Sequence, residues 1–218
     1  MDLRTNVRGY LDDRKPNERY ASFDYCFNYF QSFRELGKIS AMASPANVEH
    51  SCIQLGFYLA SWGMLRGSAE LLKKSARYFR HVIEVVANTE PSLWELDAHL
   101  YTESNIQRLW ELANKIRQAH PDGAGDMSDT LVTKIMLGVF GSVPAFDTNF
   151  KQGCRAEDKV ATFSLRALRE IGQFYMDKRA AIDEYRVRTL DFVSGGETQR
   201  LYTRAKVIDM AFFIEGNV

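Results

Sequence analysis

Along most of the chain, apolar residues return every three or four positions, the period of a helix with one buried face. From Glu18 onward Tyr20, Phe23, Phe27, Phe30 and Phe33 keep this spacing, with Leu36 close behind and Gly37 suited to a helix end. Their aromatic face is expected to be core. Ser44-Pro45 reads as an N-cap with proline at the first helical position. The helix that follows, about 45–66, is apolar nearly all round. Ile53, Leu55, Phe57, Tyr58, Leu59, Trp62, Met64 and Leu65 cover every side, which predicts a place in the middle of a domain. Residues 69–87 are amphipathic, with Leu72, Ala76, Phe79, Ile83 and Val86 inward and Lys73, Lys74, Arg77 and Arg80 mostly outward. That basic face reads as solvated surface in preference to a DNA contact. Ser92 with Glu95 and Ser104 with Gln107 spell capping boxes. Ser128 caps a predicted helix over 128–140, a long helical pattern runs from about 160 to 190, Ser194-Gly195-Gly196 marks a turn, and a last helix is expected over about 198–214.

No stretch alternates convincingly as a strand. The predicted class is therefore all-α, a compact multi-helix domain. Residues 1–17 read as a loose N-terminal arm and 18–218 as a single helical domain. If a cleft divides that domain, its lobes are 45–155 and 18–44 plus 156–218.

Composition narrows the function classes. The chain has 218 residues, 45% of them hydrophobic, so a packed core is expected. Lys plus Arg and Asp plus Glu both number 28, and zero net charge leaves only local patches to argue for a polyanionic partner. Cys26, Cys52 and Cys154 are scattered, which fits a reducing cytoplasm and argues against a disulfide framework or a zinc site. The polar N-terminal stretch does not read as a signal peptide, and the longest apolar run, Ile53 to Leu65, is too short and interrupted for a membrane span. There is no phosphate-binding GxxxxGK[ST], no GxSxG and no HExxH, and the one GxG follows a helix where a dinucleotide site needs a strand.

What remains is the stretch from His120 to Lys151: a Gly-rich turn, an apolar helix, a second turn and the lone acid Asp147. Pro121-Asp122-Gly123-Ala124-Gly125 followed by a helix and then Phe146-Asp147-Thr148-Asn149-Phe150 resembles the core of the helix-hairpin-helix DNA glycosylases. The likeness covers about thirty residues and departs from the family pattern in its extra Asp122, in its spacing and in Asn149, where a histidine is usual. The resemblance implies a cleft-bearing helical fold and Asp147 as the catalytic carboxylate. Positive charge builds on the sugar as a C1′–N bond breaks, and a carboxylate stabilises it and orients water. Gly123, Ala124 and Gly125, with Ser128, Lys134, Asn149 and Lys151, are the expected contacts to DNA phosphates. The family's amine nucleophile would fall near Asp129 or Thr130, and Lys134 comes about one turn too late, so the resemblance implies a monofunctional enzyme that leaves an abasic site. Too few cysteines are present for the family's iron–sulfur cluster, and no cofactor or metal is expected.

A flipped base needs a pocket. Gln54, Tyr58, Trp62 and Arg66 recur at i+4 along the greasy helix and are the candidate pocket residues, although packing and helix capping account for the same ladder. Asp147 before Thr148-Asn149 is likewise a good N-cap. The expected partner is DNA, with a monomeric chain and no membrane. The departures from the family pattern suit a specialised member, one use of which is bacterial defence by excision of modified phage bases such as glucosylated hydroxymethylcytosine. The alternative is a non-catalytic helical module that binds DNA or protein on a decayed glycosylase fold.

Overall fold

The computed structural model describes residues 1–65, 70–121 and 126–217. Over these the chain is predominantly helical, with one small two-stranded sheet. The α-helices are α1 (Leu3–Asp12), α2 (Ala21–Glu35), α3 (Val48–Ser61), α4 (Arg80–Ala87), α5 (Pro91–Trp94), α6 (Glu103–Gln118), α7 (Asp129–Phe140), α8 (Thr148–Ala156), α9 (Leu165–Asp183) and α10 (Arg204–Glu215). Strands β1 (Arg188–Leu190) and β2 (Glu197–Leu201) form an antiparallel hairpin between α9 and α10.

Two helices are buried along nearly their whole length. In α7 every residue from Leu131 to Phe140 is buried, and in α10 every residue from Ala205 to Phe213. Helix α7 packs among α2, α3 and α6, while α10 packs among α1, α8 and α9. These contacts cross the expected lobe division in both directions. Two close approaches seat the central helices. Tyr58 of α3 lies against Gly138 of α7, where a Cβ would collide with the tyrosine ring, and Gly153 of α8 faces the Phe212 carbonyl of α10. Helix α7 begins as its sequence predicts, with the Ser128 hydroxyl accepting from the Leu131 amide at 3.3 Å, and ends at Gly141, whose φ of +67° is the left-handed C-terminal conformation.

Several expectations are corrected. Residues 3–12 are a helix capped by Asp2, not a loose arm, because Val7 and Tyr10 are fully buried against the core. The second helix starts at Val48, not Pro45; Ser44-Pro45 instead closes a 3-10 turn over Ile39–Ala43. The 69–87 segment is not one helix but two 3-10 turns, Glu70–Lys73 and Ala76–Phe79, followed by α4, and Leu72 is exposed. The two capping boxes do not form: Pro91 opens α5 after Glu90, and Thr102, two residues before Ser104, caps α6. The long pattern over 160–190 is helical only from Leu165 to Asp183, and α10 begins at Arg204 because residues 188–201 are the hairpin. No helix among the described residues is long and apolar enough to cross a membrane.

Charge is buried where the hairpin, α1 and α2 meet. Asp24, fully buried, accepts from Arg14 Nη1 at 3.1 Å. Burial pushes its carboxyl up to about 6 against the opposing pull of Arg14. The folded state thus holds the proton more tightly than the unfolded chain. The associated stabilisation is complete below the unfolded value and is lost as pH rises through about 6. Between pH 4 and pH 7, wild-type unfolding free energy is expected to fall relative to that of Asp24→Asn by on the order of 3 kcal/mol. Denaturant titrations of both proteins across that range check this, and parallel pH curves would exclude it.

Candidate functional site

The α7–α8 unit builds the site around Asp147. Residues 141–147 turn the chain, and side chains from α7 stitch the turn down. Thr133 Oγ1 accepts from the Phe146 amide at 2.9 Å, and Thr130 Oγ1 donates to the Phe146 carbonyl at 3.0 Å. From the other side Asp209 of α10 accepts from the Ala145 amide at 2.9 Å. Asp147 is therefore carried on a segment held by two helices.

Both oxygens of Asp147 are engaged. Oδ1 caps α8 by accepting from the Phe150 amide at 3.0 Å, and Oδ2 accepts from Lys134 Nζ at 2.7 Å. The carboxylate keeps a 16% exposed side chain, whereas Lys134 is 3% exposed. Lys134 was expected to reach a phosphate. It is instead a buried ammonium on the Asp147 carboxylate, because it projects from a helix with no solvent-facing side. A buried ammonium is stable only when paired, so the two residues form one unit.

Trp62 lies at the edge of this pair. Lys134 Nζ is 5.3 Å from its ring centroid, Lys206 Nζ 5.6 Å and Arg19 Cζ 5.7 Å. Tyr10 lies parallel to it at 6.3 Å, while Tyr20 and Phe213 meet it edge-on. Three cations beside one indole make a cationic, aromatic-walled setting. The indole Nε1 is buried and has no hydrogen-bond partner among the described residues. Lys206, itself 1% exposed, donates to Asp209 Oδ2 at 2.8 Å and to the Tyr10 hydroxyl at 3.0 Å. The two lysine–carboxylate pairs thus share Trp62, and the second braces the turn that carries the first.

The remaining expected residues divide. Tyr58 does not line a pocket: it is 2% exposed, wedged against Gly138 and Phe23, and burial drives its hydroxyl pKa well up. Gln54 is half-buried on α3. Ser128 is exposed and caps α7. Lys151 is half-buried beside the first turn of α7, with Nζ 3.4 Å from Thr130 Oγ1. Asn149 is half-buried and donates to Asn217 Oδ1 at 2.9 Å. Arg66, Gly123, Ala124 and Gly125 lie outside the described residues. No group of three or more His, Cys, Asp or Glu side chains among the described residues is placed to hold a metal ion.

Sequence reasoning missed Lys206 and Asp209. The available signal was two opposite charges, three positions apart, inside the apolar run Ala205–Phe213. The same signal marks Lys134, the one charge between Leu131 and Phe140. No family model, no curated protein and no solved structure matches the chain.

Proposed function

We propose that this chain is a DNA glycosylase-like enzyme of the helix-hairpin-helix kind. It hydrolyses the N-glycosidic bond of a flipped-out, modified base and leaves an abasic site, and excision of modified phage bases is the use that suits it. The observation that carries this reading is the Asp147 carboxylate, partly exposed, fixed on a braced turn and paired with Lys134 Nζ at 2.7 Å. Such a group stabilises the cationic sugar as the C1′–N bond breaks and orients the water whose oxygen then bonds to C1′. The departing base carries the bonding electron pair away and takes up a proton. Trp62, half-buried between Lys134 and Arg19, supplies an aromatic surface beside the lysine that pairs with Asp147.

A second reading rests on the 2.7 Å contact itself. If Lys134 gives a proton to Asp147, its amine can attack C1′ as the C1′–N bond breaks and the base leaves with the bonding pair and a proton. Cleavage of the C1′–O4′ bond, with O4′ taking up the amine's proton, then leaves an imine on the opened sugar. One assay separates the two. Duplexes carrying hydroxymethylated, glucosylated or alkylated bases are incubated with the protein, then treated with alkali or with borohydride. Water attack gives alkali-dependent breaks and no protein–DNA adduct. A borohydride-trapped adduct, absent in Lys134→Met, would replace the first reading with the second. Binding without base release from any of these duplexes would overturn both and leave the non-catalytic module.

A further inference from the structure

We propose that the cationic cleft between the 73–81 segment and Pro121 binds the phosphodiester backbone of duplex DNA. The glycosylase reading supplies only the choice of polymer; the cleft's geometry and charge stand apart from it. On one continuous helix, Lys73, Lys74, Arg77 and Arg80 would point outward along a convex face. The chain instead breaks into two 3-10 turns before α4 starts at Arg80. The break wraps these cations, with His81, around a concavity of about 380 Å³ that Pro121 also lines.

The walls are fixed. Phe79 lies against Gly56 of α3, and the Tyr78 ring meets His120 edge-on at 5.3 Å. The segment is thereby tied both to α3 and to the chain that leaves α6. Lys73 and Arg77 are exposed and make no ion pair among the described residues. Glu84 is shared by Arg80 at 3.1 Å and His81 at 3.0 Å, and Glu49 lies on the adjoining groove. Several cations on one concave wall focus a positive potential even on a chain of zero net charge.

Cations spread along eight residues do not converge on one point, as a single small anion would require. They suit a polyanion that offers phosphates at intervals. Exposed Ile53, Phe57 and Leu72 lie on or beside the neighbouring groove, an arrangement that an anionic membrane surface would also fit, so the test includes that surface.

The experiment is a fluorescence anisotropy titration of a short unmodified duplex between about 50 and 200 mM salt. It uses the full-length wild type, Lys73→Ala/Arg77→Ala, and a control pair, Arg8→Ala/Lys178→Ala, on α1 and α9. The cleft variant is expected to bind roughly tenfold more weakly at the lower salt, with a log–log salt slope reduced by about 2, while the control follows wild type. An unchanged slope, no binding of duplex by wild type, or capture of phosphatidylglycerol vesicles in place of duplex would each overturn the proposal. Salt-sensitive binding through the cleft without base release would sink the glycosylase reading alone. Base release with an unaltered cleft variant would sink the cleft alone.

Discussion

Asp147→Asn is expected to lower the rate of abasic-site formation by about 10³-fold, the scale on which a preorganised charge at a developing cation acts. The asparagine oxygen can still accept from the Phe150 amide, so the cap on α8 survives. What disappears is the negative charge, and with it the ionic partner of Lys134. A 3% exposed ammonium left beside a neutral amide is unfavourable, and the folded state should lose about 3–5 kcal/mol. Activity and stability would then fall together, and the activity loss alone would prove little. The double variant Lys134→Met/Asp147→Asn separates them. Removing both charges removes the orphaned ammonium and should restore most of the stability while the protein stays inactive. Thermal unfolding and single-turnover kinetics on the three proteins check this. A double variant that regains stability and also regains base release would reduce Asp147 to a helix cap.

A large effect on the fold is also expected at Gly153. A methyl group there would fall well inside contact distance of the Phe212 carbonyl oxygen and 2.9 Å from its carbonyl carbon. The obstacle is backbone, which no side-chain rotation relieves, so α8 must move off α10. Gly153→Ala should cost about 3 kcal/mol, at the upper end for overpacking, and lower the melting temperature by about 6–12 °C. Because α8 carries Asp147 at its first cap, a shift on the order of 1 Å should also cost about 10²-fold in base release measured below the transition. Gly37 is the contrast: its φ is +66° but nothing lies within 4 Å of an added Cβ, so alanine there meets only local backbone strain. If Gly153→Ala melts with wild type, the close crossing of α8 and α10 is not what seats the site.

The chain's legibility varied with how local the determining physics was. Helix α7 could be read almost to the residue, because a serine cap, an apolar run and a left-handed glycine all lie within it. The 73–81 segment could not. Leu71, Tyr78 and Phe79 meet the core through two 3-10 turns and Val82 and Ile83 through α4, and the same spacing would suit an uninterrupted helix. Helix α1 was missed although Leu3, Val7 and Tyr10 are helically spaced behind an Asp2 cap, because its many charges resemble those of a solvated tail. The hairpin was missed because β1 is three residues long and buried at two consecutive positions, which hides any alternation. At the site, Asp147 stood out as a lone acid in a turn, but its union with Lys134 depends on the path of 141–147, which nothing local in the sequence dictates.

The packing of α10 between α1, α8 and α9 has a kinetic consequence. Asn6 of α1 donates to the Ala211 carbonyl of α10 across 205 positions of sequence. The second buried lysine pair and the brace on the Asp147 turn both come from α10. The contacts of α10 with α1, that of Asn6 and that of Lys206 with the Tyr10 hydroxyl, are thus among the last that a growing or refolding chain can complete, since both need a loop closed over nearly its whole length. Until then the faces of α8 and α9 that α10 covers stay open. The interval before α10 docks is therefore when this protein is most open to self-association and most dependent on chaperones.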